Sequence, residues 1–145
     1  MKAQIVVEKV LPLSKREAWN WFTLSENTQK WYGPYRLEEG RLFVRLIKEE
    51  GMPEVEGRVV NCIQERELTL ALGTTADAWV IKIELEEHPD GTRVLLSQSD
   101  IGVEEKPWIE AGWAYYLDLL LSVINHTPEP DFNNYAPDSK MNENS

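Results

Sequence analysis

Between Tyr35 and Ser99 no segment runs longer than about ten residues before a turn signal interrupts it. The interruptions are Glu39-Gly40, Gly51-Met52-Pro53, Gln64-Glu65, Gly73–Asp77 and Pro89-Asp90-Gly91. Between them lie apolar, β-branched segments: a short one from Tyr35, then Leu42–Ile47, Val55–Ile63, Leu68–Leu72, Ala78–Glu87 and Thr92–Ser99. Gln4–Leu11 has the same character, which makes about seven strands. Parallel crossovers need a dozen residues or more, and these connections are far shorter, so the sheet is predicted to be antiparallel.

Trp79, Ile81, Ile83 and Leu85 fall on one face of their strand, with Val80, Lys82 and Glu84 on the other. One face of the sheet is therefore packed and one largely wet. The cover predicted for the packed face is a single long helix over 106–125. At about 100° per residue, Ile109, Trp113, Tyr116, Leu120, Val123 and Ile124 share its inner face, and Ala111, Ala114, Asp118, Ser122 and Asn125 lie opposite. Pro107 suits its first turn. Near the start, Ser14-Lys15-Arg16-Glu17 reads as a capping box, with Leu13 and Ala18 at the staple positions and Ala18, Trp21 and Phe22 on the buried face of a short helix. Ser25 is expected to cap a second short helix that ends near Trp31, before Gly33-Pro34. Residues 126–145 hold three prolines and few apolar side chains. They read as an irregular polar tail beyond a single domain of residues 1–125, with Phe132 and Tyr135 as its anchors.

The chain has 145 residues and a net charge of −10. That charge repels phosphate, so no nucleic acid partner is expected. No apolar run reaches the roughly 18 residues of a membrane span, and Glu8 and Lys9 break the N-terminal apolar stretch too early for a signal peptide. The expected location is cytoplasmic. Cys62 is the only cysteine, so there is no internal disulfide, and with only His88 and His126 to join it no metal site is expected. The acidic clusters Glu49, Glu50, Glu54, Glu56 and Glu84, Glu86, Glu87, Asp90 read as solvated hairpin ends; the competing reading is a docking surface for a basic protein.

The element order is strand, two short helices, six antiparallel strands and one terminal helix. It resembles the helix-grip fold, an α+β arrangement in which a curved sheet wraps around the last helix. Leu13-Ser14-Lys15-Arg16-Glu17-Ala18-Trp19 stands where one family of this fold has "P-x-x-V-W". Lys30-Trp31-Tyr32-Gly33-Pro34 is similar to its "RWfGP", Gly40-Arg41-Leu42-Phe43 to its "GG-x-F", and Gly57-Arg58-Val59 to its "G-x-V". Glu110-Ala111-Gly112-Trp113, with Leu117 and Leu120, is similar to its terminal "GW…L…L". Ser14 in place of proline and a single glycine before Arg41 are local departures. Together these residues resemble the bacterial homologues of the activator of the 90-kDa heat-shock-protein ATPase, within the START-like superfamily. The resemblance covers about residues 3–125. It implies the fold, and fold alone does not carry a chaperone role with it.

A curved sheet closing on a helix leaves room for a cavity between them. The candidate lining is Trp31, Tyr32, Phe43, Trp79, Ile81, Trp113, Tyr116 and Leu120, because large rigid rings suit the wall of an apolar pocket. The same rings also suit a filled core. Residues 31–34 read either as a lid or as a turn anchored by Trp31. Arg45 reads either as an anion ligand or, preferably, as a surface charge. Ser97 and Ser99 share one strand face and read either as pocket hydroxyls or, preferably, as exposed strand residues. Neither histidine is placed to act as a base, and no catalytic residue and no cofactor is expected. The leading function is the binding of a lipophilic or aromatic small molecule. A co-chaperone-like protein-interaction domain and a cyclase- or hydratase-type enzyme are the alternatives.

Overall fold

The computed structural model describes residues 2–39, 41–45, 54–73 and 79–137. Seven strands form one antiparallel sheet: β1 (Lys2–Leu11), β2 (Tyr35–Glu38), β3 (Arg41–Val44), β4 (Val55–Ile63), β5 (Glu67–Leu72), β6 (Trp79–His88) and β7 (Gly91–Gly102). Their spatial order is β1-β7-β6-β5-β4-β3-β2. Helices α1 (Lys15–Thr23) and α2 (Ser25–Thr28) follow β1, and α3 (Lys106–Asn125) follows β7. This is the α+β helix-grip arrangement that the order of strands and helices resembles. Leu46, Ile47 and the turns at Gly40, 51–53 and 74–77 lie outside the described residues.

The local chemistry explains where elements start. Ser14 Oγ accepts from the Glu17 amide at 3.2 Å and the Glu17 carboxylate accepts from the Ser14 amide at 3.4 Å, which closes the capping box. Ala18 beneath it is fully buried. Ser25 does not cap α2. It is the helix's first residue, and its hydroxyl accepts from the Tyr35 amide at 3.0 Å, which ties α2 to the start of β2. Helix α2 ends at Thr28, because the Thr28 carbonyl takes the amides of Trp31, Tyr32 and Gly33 in a tight turn. At the β6–β7 hairpin Gly91 has φ of +141°, and a Cβ there would stand 2.0 Å from the Leu11 carbonyl oxygen, so only glycine lets the hairpin press on the end of β1.

The inner face of the sheet carries Ile81, Ile83 and Leu85 from β6 and Val94, Leu96 and Gln98 from β7, all buried. Helix α3 lies over the β1 end of this face. Leu117 and Leu120 are completely buried. Two residues expected on the outer side of α3, Ala111 and Ser122, are buried as well. This side of the helix meets β1, and the segment that follows α3 covers Tyr115 beside it. Tyr115 meets Phe132 edge-on at 5.5 Å and Tyr135 at 5.7 Å. Asp118 pairs with Lys9 of β1 and accepts from the Tyr135 hydroxyl at 2.5 Å.

Burial, and then the hydrogen bond to Asp118, pushes the Tyr135 phenol up to about 12. A group that holds its proton more tightly in the folded state favours that state while protonated. Its contribution is complete below about pH 10, the ordinary tyrosine value, and is lost as pH rises toward 12. The carbonyl-carbon and side-chain carbon signals of Phe132–Ala136 should therefore move to coil positions in that alkaline window before those of the sheet do. A Tyr135→Phe protein, with no phenol to ionise, should lack this step.

Candidate functional site

Across the far half of the inner face, β2 to β5, stand Phe22 and Thr23 of α1, Thr28 of α2 and the turn after it, with Trp113 of α3 reaching the β5 side. Between these residues and the sheet lies a cavity of about 490 Å³. Its walls come from Phe22 and Thr23 of α1, Thr28, Tyr32 and Gly33, and the inward residues of four strands. These are Tyr35 and Leu37, Leu42 and Val44, Val59 and Cys62, and Leu68 and Leu70. None of them belongs to α3. Leu37 is 54% exposed and Val59 37%, and Cys62 is also exposed, so these three mark the mouth. A smaller chamber of about 50 Å³ lies next to it and shares Phe22, Thr28, Tyr32, Val44, Leu68 and Leu70.

Strand register decides who faces inward. Leu42 pairs with Gly57 and Gly57 with Leu72, and Val59 pairs with Leu70. Between Val59 and Asn61 the register shifts, so Val60 has no opposite number. Such a bulge reverses the alternation. Beyond it Cys62, paired with the inward Leu68, faces the cavity.

The turn at 31–34 is anchored. Trp31 is 3% exposed, its Nε1 donates to the Trp21 carbonyl at 3.0 Å, and its ring meets Phe22 edge-on at 5.4 Å. This corresponds to the anchored-turn reading rather than the lid. From Trp31 the aromatic contacts continue through Tyr32, which stacks on Trp113 at 5.5 Å and meets Tyr116 at 5.2 Å. The rings stand between the cavity and the core beneath α3.

The eight residues read as a lining from the sequence are thus distributed over several places. Tyr32 is on the wall of the larger cavity. Trp31, Tyr32, Ile81 and Trp113 line the smaller chamber. Tyr116 belongs to the aromatic cluster and Leu120 to the core, and neither lines these two cavities. Trp79 has inward parity, paired with Leu72, but it is the first residue of β6 and stays 45% exposed. Phe43 faces the other way, between the inward Leu42 and Val44. Its ring carries the Arg36 guanidinium at 4.2 Å and that of Arg41 at 5.4 Å. Arg45 is exposed. Ser97 and Ser99 are half-buried on the face opposite the inward Gln98.

The lining is apolar with few polar atoms, and no carboxylate, histidine, lysine or arginine is among its described residues. Tyr35, whose hydroxyl donates to the Thr23 carbonyl, has its phenol pushed above the ordinary value by burial. Elsewhere, Gln98 Oε1 accepts from Trp113 Nε1 at 2.7 Å. On the outer face much of the acidic charge is neutralised locally. Arg36 reaches Glu54 at 2.9 Å, Arg41 Nε reaches Glu56 at 2.7 Å, and Arg93 pairs with Glu8 and Glu86. Hydrogen bonding to Arg36 holds the Glu54 carboxyl below the usual range. Glu49 and Glu50 lie outside the described residues. No group of three or more metal-ligating side chains occurs among the described residues, and no helix among them is long and apolar enough to cross a membrane.

No curated protein matches the sequence. The fold has many solved relatives. CalU16 from Micromonospora echinospora is 21% identical, with a TM-score of 0.73 over 91% of this chain and 80% of that one. A conserved protein of unknown function from Enterococcus faecalis is also 21% identical, at 0.71 over 92% and 80%. The Aha1 dimer from Colwellia psychrerythraea is 14% identical, at 0.71 over 83% and 95%. At these identities the likeness is one of fold. The sequence pattern of one family, however, matches residues 12–125. On that match the chain belongs to the family of activator of Hsp90 ATPase homolog 1-like proteins.

Proposed function

We propose that this protein holds a small lipophilic or aromatic molecule in the cavity between α1–α2 and strands β2–β5. The observation that carries the reading is the cavity itself: about 490 Å³, apolar, and open at one end. Its volume falls within the range of small-molecule pockets. An apolar wall left in contact with water forgoes the burial that a ligand would supply. The absence of charged side chains from the described lining favours a holder over an acid–base enzyme, which needs a proton donor or acceptor at the reacting atoms. The pairing of Glu54, Glu56 and Glu86 with arginines leaves less free negative charge for a basic protein partner.

Thermal unfolding against sterols, flavonoids, polyketide-like aromatics and fatty acids tests the proposal. A ligand at a hundred times its dissociation constant adds about 2.7 kcal/mol. At about 2–4 °C per kcal/mol, the midpoint should rise by roughly 5–10 °C for at least one class. No saturable shift with any class would count against a small-molecule role.

A further inference from the structure

The polar atoms on the cavity wall have mostly spent their hydrogens. Thr23 Oγ1 donates to the Trp19 carbonyl at 2.8 Å. Thr28 Oγ1 lies 2.8 Å from the Gly33 carbonyl oxygen and 3.3 Å from that of Ser25, and donates to this pair. The Tyr35 hydroxyl donates to the Thr23 carbonyl. A hydroxyl has one hydrogen and two lone pairs, so an oxygen whose hydrogen is committed offers a visitor only lone pairs. Three of the four lining hydroxyls are in this state. The Cys62 thiol is a weak donor and sits at the exposed mouth. Gln98 Nε2, a buried donor with no protein partner, belongs to β7 under Trp113, and Gln98 lines neither cavity.

From this we infer that the cavity selects uncharged lipophiles that carry a hydroxyl or N–H donor over carboxylates of the same size, with the Tyr35 oxygen as the main acceptor. The inference rests on the holder reading and narrows it to a ligand class. A carboxylate entering the cavity loses its hydration and meets mostly lone pairs and no cation among the described lining residues, so its desolvation is poorly repaid. The net charge of −10 opposes it further. An alcohol or phenol gives its hydrogen to an oxygen already placed to take it. An ether of the same shape gains the apolar burial without that bond.

Fluorescence titration of the full chain with 1-hydroxypyrene, 1-methoxypyrene and 1-pyrenecarboxylate at neutral pH separates these effects. The three share one ring system. The hydroxyl compound should bind about three- to tenfold tighter than the ether, the usual worth of one neutral hydrogen bond. The carboxylate should bind at least about thirtyfold more weakly than the ether. Tyr35→Phe keeps the ring and removes the oxygen. It should bring the hydroxyl compound to within about twofold of the ether while leaving the ether's affinity in place, which also reports an intact cavity. Equal binding of all three, or a preference for the carboxylate, overturns the inference and leaves the holder reading standing. An undiminished hydroxyl preference in Tyr35→Phe overturns the assignment to Tyr35. If none of the three binds saturably, the holder reading falls and this inference falls with it.

Discussion

A protein carrying Val44→Phe and Val59→Trp together should lose its affinity for Nile red, a neutral environment-sensitive dye, by at least about tenfold. Val44 is 5% exposed and sits on β3 facing the cavity, and Val59 stands at its mouth. A larger side chain in a filled core is costly because its neighbours cannot make room. Here the added rings enter space that is already open, so the melting temperature should not fall. Loss of dye binding at unchanged or higher stability would be the mark of a plugged pocket. Unchanged dye affinity would mean that the dye sits elsewhere.

Leu120→Ala should have the opposite signature. Leu120 is completely buried beneath α3 and lines neither cavity. Truncating a buried leucine costs about 2–5 kcal/mol, because the surroundings close only part of the void. At this chain length that lowers the melting midpoint by on the order of 10 °C. Nile red affinity should change by less than about threefold below the new midpoint, since the residue touches the sheet–α3 core and not the dye. A large loss of affinity at near-normal stability would move the site to α3, where the helical periodicity alone places it.

The difference between those two variants reflects what was legible in the sequence. The strands, the capping box at Ser14 and Glu17 and the bounds of α3 depend on neighbours a few residues apart, so local spacing reveals them. The location of the cavity depends on which elements cover which half of the sheet. Projecting α3 onto a wheel assumes one buried face, and the contacts with β1 and, at Tyr115, with Phe132 and Tyr135 give it a second. Alternation along β3 left open whether Phe43 or its neighbours Leu42 and Val44 point inward. The two arginines over the Phe43 ring come from β2 and from β3 itself, and only the pairing of those strands brings both together. Cys62 gave no signal, because an unbroken strand would turn Asn61 inward and Cys62 out. The bulge at Val60 reverses them, and no glycine or proline at that position announces it. Trp79 and Ile81 alternate as expected, yet only Ile81 is covered. Parity fixes a direction, and burial also needs something on that side.

The most direct measurement of the central claim is the set of backbone amide shifts on addition of saturating Nile red. If the ligand occupies the cavity between α1–α2 and the far strands, the largest changes fall on Thr23, Thr28, Gly33, Val44, Val59 and Leu70, with those of Ala111, Tyr115 and Leu119 small. Changes centred on Ala111, Tyr115 and Leu119, or spread thinly over the outer face around Phe43, would contradict the account.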